Sequence, residues 1–251
     1  MILARLTRAF REQNWFAVTL EFFIVIAGVV IGFQITAWNA ERSDREREQR
    51  YVIELIDDVE SDLAEIRQSL SFAQLRIAAT NRIFQLALNE EPAWTIHDSP
   101  AFPDLEPVAL PDGYDDELLM LAATAMRTID QSGGTWDMLI ATGDVAIMRA
   151  PELIASLQAY RTHLTSVMDL ESFVRSYMPG IDAERRSLGI GLGQTVPVED
   201  FVMMIETYPE FAAGLRTMRT FSMIQYEDLG ELEESAMALI AQLEARRDEL
   251  Q

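Results

Sequence analysis

The hydrophobic and polar positions of the chain change pattern several times along its length. At 2–12, ILARLTRAFRE, Ile2, Leu3, Leu6 and Phe10 recur at near-helical spacing with arginines between them. This predicts a short amphipathic helix over 1–14, lying in the headgroup plane of a bilayer. From Trp15 to Trp38 follows WFAVTLEFFIVIAGVVIGFQITAW, whose clearly polar members are Thr19, Glu21, Gln34 and Thr36. As a helix this run extends about 36 Å, enough to cross a hydrocarbon core of about 30 Å. The unbroken apolar stretch from Phe22 to Phe33 and the tryptophans at both ends predict a transmembrane helix over 15–40. Trp15 and Trp38 are its membrane-interface anchors, because indoles favour the headgroup level. Cleavage as a signal peptide after Ala37 or Ala40 would put Ile35 or Trp38 where a small residue is required. The run therefore reads as an uncleaved, single-pass anchor.

One face of that helix differs from the rest. At about 100° per residue, with Glu21 as zero, Gly28 falls near −20°, Gly32 near +20° and Asn39 near 0°. The spacing Gly28-Val-Val-Ile-Gly32 lets helix backbones approach closely, and a polar group on the same face is placed to bond across the contact. Glu21, Gly28, Gly32 and Asn39 thus form a candidate helix-association face. The partner is a second copy of the chain or another membrane helix.

After Asn39 there is no Gly or Pro until Pro92, and a 4,3 apolar repeat runs through Val52, Ile56, Val59, Leu63, Ile66, Leu70, Ala73 and Ile77, with Phe84 in phase. The acids between them, Asp57, Asp58, Glu60, Asp62 and Glu65, read as an outer face. This predicts that the membrane helix continues as a coiled-coil-like stalk helix over 41–89. Residues 90–251 form a body packed on it. At 91–113 five of the nine prolines break helix and strand alike, predicting a loop packed by Trp94, Ile96 and Phe102. Helical spacing returns at about 114–130 and 134–143. Gly143 then acts as a stop, and 144–148 reads as a linker. Pro151 opens a helix expected to last to about Met178, and the Gly- and Pro-rich stretch 179–198 reads as loop or short helix. A short helix near 199–207 leads to a last one at about 210–249, whose Leu229, Leu232, Ala236, Leu239, Leu243 and Leu250 repeat the 4,3 spacing. No useful strand alternation appears, so the fold class is all-α. The two long heptad-bearing helices suggest an antiparallel helical bundle.

Charge sharpens this division. The 251 residues carry a formal charge of −21, with no lysine and no cysteine. Residues 1–50 hold 7 Arg against 6 acids, a net of +1, and residues 51–251 hold 13 Arg against 35 acids, a net of −22. A body of that sign excludes nucleic acid, whose phosphates require clustered positive charge, and it is repelled by anionic headgroups. Lack of cysteine excludes a disulfide scaffold and thiolate metal sites. Three arginines precede the span, and Arg42, Arg45, Arg47 and Arg50 follow it, so counting basic residues barely separates the two orientations. The acidic body is compatible with export, which tips the reading to a cytoplasmic N-terminus and a periplasmic body.

Two stretches carry a resemblance. Glu21, Val25-Ile26-Ala27-Gly28, Ile31-Gly32-Phe33-Gln34-Ile35-Thr36-Ala37-Trp38-Asn39 and Glu41-Arg42 resemble the N-terminal signature of an uncharacterised family of bacterial single-pass membrane proteins. Members have a Gly-rich span that ends in Gln-Ile-x-x-Trp-Asn. Trp136 through Ile147, followed by Leu153, Leu157 and Tyr160, resembles the same family. The chain departs from it in lacking lysine and in the proline-rich insert. The resemblance implies a helical protein anchored in the bacterial inner (cytoplasmic) membrane, and no particular activity.

Motifs for chemistry are absent. There is no Gly-x-Ser-x-Gly, His-Glu-x-x-His or Walker sequence, and Tyr160 stands where the Glu-x-x-His pair of di-iron bundles would need an acid before His163. His97-Asp98 lacks a second ligand histidine and reads as surface. Asp112, Asp115, Asp116 and Glu117 lack calcium-loop spacing and suit the start of a helix. Gly189-Ile-Gly191-Leu-Gly193 has no preceding strand and no following lysine, so it is not read as a phosphate cradle. No catalytic residue, cofactor or metal ligand is assigned, and an enzyme is disfavoured. Two readings remain. One is a membrane-anchored interaction, signalling or scaffold protein. The other is a ligand- or cation-sensing helical domain coupled to the membrane helix, with a pocket under the 91–113 loop.

Overall fold

The structure, a computed structural model, describes residues 15–95, 105–130 and 134–251, with side chains from Thr19 onward. The expected interfacial segment 1–14, with Ile96, His97, Asp98 and Phe102, lies outside the described residues. All regular structure among the described residues is helical: α1 (Trp15–Leu88), α2 (Leu119–Thr124), α3 (Gly134–Thr142), α4 (Pro151–Ser187), α5 (Val198–Thr207) and α6 (Pro209–Leu250). Short 3-10 turns precede α2 and follow α3. The chain divides into two units, Met1–Arg50 and Tyr51–Gln251.

In the first unit α1 is long and apolar enough to cross a membrane, and none of its most apolar stretch is buried. Phe22, Phe23 and Ile24 on one turn, and Phe33 further on, are each more than three-fifths exposed. The Thr36 hydroxyl donates to the Gly32 carbonyl at 3.0 Å, one turn back. Charged residues take over at Glu41, with ion pairs Arg42–Glu46 and Arg47–Asp44 at helical spacing.

In the second unit the 4,3 stripe of α1 is the core stripe. Val52, Ile56, Val59, Ile66, Ala73, Ile77 and Phe84 are buried, and Leu70 is partly so. Two apolar clusters divide the interior. The first gathers α1 from Val52 to Ile66, α4 from Leu153 to Val167 and α6 from Leu229 to Leu243. The second gathers Ala79 to Phe84 of α1, α2, α5, Val174 and Ile181 of α4 and Phe211 to Met218 of α6. Polar contacts between α1 and α6 run in falling order: Arg67 to Glu233, Gln74 to Tyr226, Arg76 to Gln225 and Ser222, Asn81 to Arg219. α1 ends where Asn89 takes a left-handed φ of 52°, a conformation asparagine tolerates better than most residues. Prolines stand at the first positions of α4 and α6, where no intrahelical N–H is needed.

Four expectations require correction. The acids of the stalk do not form one outer face: Asp62 is buried and Asp58 and Glu65 are half-buried, because each meets a donor from the body. The helix expected over 114–130 is confined to α2, since Ala125–Asp130 is neither helix nor strand and its backbone is taken by side chains instead. The stretch 144–148 is mostly a 3-10 turn, Asp144–Ile147, after Gly143 at φ 77°.

α4 also runs through Pro179 to Ser187, beyond the expected end at Met178. An interior proline removes one helical hydrogen bond and costs about 3 kcal/mol. Pro179 and Gly180 face solvent, so water can serve the carbonyl left without its donor. Ile181 and Arg185, both buried, continue the packed face beyond the break. Pro179→Ala is therefore expected to raise the unfolding free energy by about 1–2 kcal/mol, part of the gain being offset by a freer unfolded chain. Chemical denaturation checks this, and a lower midpoint in the variant would show that the proline is needed for packing.

Candidate functional site

The apolar clusters are separated by a layer of buried polar side chains. α1 supplies Ser69 and Arg76, α4 supplies Glu171 and α6 supplies Ser222 and Gln225, all at most 2% exposed. Arg76 is the largest fully buried side chain among the described residues. Its Nε donates to Ser222 Oγ at 2.8 Å, its Nη1 to the Ala125 carbonyl at 2.7 Å and its Nη2 to Gln225 Oε1. The other end of the same amide, Gln225 Nε2, donates to Glu171 Oε1 at 2.8 Å. Gln225 thus bridges cation and anion. Ser69 Oγ lies 2.8 Å from Glu171 Oε1 and 3.1 Å from the Arg127 carbonyl, while Glu171 Oε2 accepts the Ile129 N–H at 3.1 Å.

Burial on this scale weakens the charged form of a guanidinium. Desolvation pulls the Arg76 pKa down to about 10, with Glu171 acting in the opposite sense. Arg76 is still a cation at neutral pH. A buried pair of this kind adds little net stability, but losing one partner leaves an uncompensated charge and costs about 3–5 kcal/mol.

A polar column on α1 continues the layer. Asp62 Oδ2 accepts the Tyr160 hydroxyl at 3.1 Å, Glu65 Oε2 accepts the Asp130 N–H at 2.5 Å and Asp58 Oδ2 accepts the Thr135 N–H at 3.0 Å. Burial, followed by the charge of Asp62, pushes the Tyr160 phenol well above its ordinary range.

A separate cavity of about 420 Å³ lies between Ala78, Arg82 and Gln85 of α1 and the 108–114 stretch, with Trp94 and Tyr114 on its walls. Arg82 grips Asp116 through two bonds, of 2.9 and 3.2 Å, and Asp115 caps the 3-10 turn by accepting the Glu117 N–H at 3.0 Å. These acids are engaged within the fold. Among the described residues no cluster of three or more His, Asp or Glu is placed to hold a metal ion. In the glycine run, Gly189 and Gly193 take φ of 82° and 74°, and the Gly191 carbonyl accepts from Arg185 at 2.9 Å. The run closes a turn against Arg185.

Glu21, Gly28, Gly32 and Asn39 all stand on α1 and are exposed. A Cβ at Gly28 or Gly32 would meet nothing within 4 Å. Trp38 is 61% exposed, and the side chain of Trp15 lies outside the described ones. Known protein families, curated proteins and solved structures were compared with the chain, and none matches.

The buried polar layer lies off the 4,3 stripe, and that stripe alone does not reveal it. Leu55, Asp62, Ser69, Arg76 and Ile83 recur every seven residues and are all buried, a second column beside the 4,3 stripe. Glu171 likewise continues Leu157, Tyr160, Leu164 and Val167, and Ser222 and Gln225 continue Leu215 and Met218. A polar residue in core phase was the available signal.

Glu171→Leu is expected to cost about 3–5 kcal/mol by stranding Arg76, measured as a shift in the urea midpoint at unchanged slope. For Tyr160, a folded pKa above the unfolded value of about 10 means that the unfolded chain ionises first. Its contribution is complete below about pH 10 and is lost as pH rises towards the folded value. Tyr160→Phe should flatten this part of the alkaline stability profile relative to wild type, and an unchanged slope above pH 10 contradicts the assignment.

Proposed function

We propose that the chain is a single-pass, membrane-anchored helical interaction or scaffold protein of the bacterial inner membrane, belonging with the family its N-terminal run resembles. The observation that carries this reading is the apolar run of α1, whose large side chains from Leu20 to Trp38 are exposed all round. In water such a surface is far larger than a soluble monomer leaves uncovered, and in a bilayer it is solvated. The small and polar face of Glu21, Gly28, Gly32 and Asn39 associates with a second copy of the chain or with another membrane helix. The body, with α1 and α6 in the falling register of their contacts, is an antiparallel helical bundle on the periplasmic side, and its acidity holds it away from anionic headgroups. No catalytic role is assigned.

A second reading is favoured by the cavity beside Arg82, Trp94 and Tyr114. Its size and mixed lining suit a small molecule, which makes the body a sensor whose state is conveyed along α1.

With no native cysteine, a single Val25→Cys substitution gives a clean crosslinking probe. The protein is expected to stay with the membrane through an alkaline carbonate wash and to form a crosslinked dimer or a crosslink to one membrane partner. Gly28→Leu with Gly32→Leu should abolish that crosslink. Release into the wash contradicts the anchor, and an undiminished crosslink in the double variant contradicts association through this face.

A further inference from the structure

The segment Ala125–Asp130 joins the two halves of the core without being helix or strand. Met126 packs on the second apolar cluster and Ile129 is buried in the first, so the segment crosses the polar layer. Side chains of two helices hold its backbone. From α1, Arg76 donates to the Ala125 carbonyl at 2.7 Å, Ser69 Oγ lies 3.1 Å from the Arg127 carbonyl and Glu65 accepts the Asp130 N–H at 2.5 Å. From α4, Glu171 accepts the Ile129 N–H at 3.1 Å. These four contacts do the work that a helix or sheet ladder does elsewhere.

Three of these side chains, Arg76, Glu171 and Ser69, have a second set of partners that does not involve the segment. Arg76 keeps Ser222 and Gln225, Glu171 keeps Gln225 and Ser69, and Ser69 keeps Glu171. If the segment leaves, the buried cation and anion are still joined through the Gln225 amide and are not stranded. Arg76 Nη1, Glu171 Oε2 and Glu65 Oε2 give up their contacts to the segment and turn to water, while the Gln225 amide keeps the layer joined. The segment's remaining anchor is the burial of Ile129, with Met126 half-buried and Arg127 exposed.

We propose that Ala125–Asp130 is a releasable strap, which lifts out of the groove between α1 and α4 while the helices stay packed. Lifting uncovers Glu65, Ser69, Arg76 and Glu171, the donors and acceptors that hold the strap when it is closed. The device links the state of a six-residue segment to the boundary between the two apolar clusters, without unfolding either.

Native-state amide exchange on the full chain in detergent micelles tests this, reading Ile129 and Asp130 against Leu232 and Leu239 of α6. The strap amides are expected to exchange about a hundredfold faster than the α6 amides, with a shallow denaturant dependence that marks local opening. Glu65→Ala, which touches only the strap, should speed Ile129 and Asp130 about fivefold or more and leave Leu232 and Leu239 unchanged. Strap amides that exchange in step with α6, with the same denaturant slope in wild type, overturn the proposal. So does a Glu65→Ala variant that speeds all four amides alike or none of them. The wild-type comparison stands whether or not the variant folds.

Discussion

A guanidinium buried in the middle of a helical body governs how the rest is arranged. Arg76 requires acceptors from several directions and a carboxylate within electrostatic reach, and no single helix supplies them. α6 brings Ser222 and the bridging Gln225, α4 brings Glu171 and the segment after α2 brings the Ala125 carbonyl. A one-turn slide of α6 against α1 would still bury leucines, because the 4,3 stripe repeats. The Arg76 contacts do not repeat, and they fix one register out of several with similar apolar burial. The same demand explains the non-helical course of Ala125–Asp130, where helical hydrogen bonds would consume the carbonyls and amides that the layer uses.

α1 carries two different surfaces on one helix. From Leu20 to Trp38 it carries large apolar side chains exposed around the helix, interrupted by one small and polar face, and from Val52 it is apolar on a stripe with a polar column beside it. The charged stretch with Arg42, Asp44, Glu46 and Arg47 lies between the two patterns. The first pattern suits a uniformly apolar solvent and the second a protein partner on one side. Net charge follows the same division, with a near-neutral start and a body at −22.

Much of the helical content was legible because long 3.6-periodic segments are set by local spacing. The stripe Val52 to Phe84, the α6 stripe from Leu229 to Leu243, the Pro151 start and a last helix from about 210 follow from residue pattern alone. Where the reading failed, long-range partners overrode local signals. Pro179 reads as a stop, but packing of Ile181 and Arg185 carries the helix on. Ala125 and Ile129 fit a helical face, but Arg76 and Glu171 capture the backbone there. Asp62 reads as solvated until Tyr160, 98 residues away, meets it. The polar layer was visible only as polar residues in core phase on three separate helices, and a single helix viewed alone gives no reason to pair them. The small and polar face of the apolar run was legible because it is contained in one helix.

The claim that this layer sets the register is tested most directly by a distance between α1 and α6. Spin labels at Gln68 and Glu234, both exposed, should give one narrow distance distribution in the otherwise wild-type chain. With Arg76→Met and Glu171→Leu replacing the layer by apolar side chains, the body should stay helical while the distribution broadens or splits into more than one register. A distribution as narrow as in the wild type, at the same distance, would contradict it and assign the register to apolar packing alone.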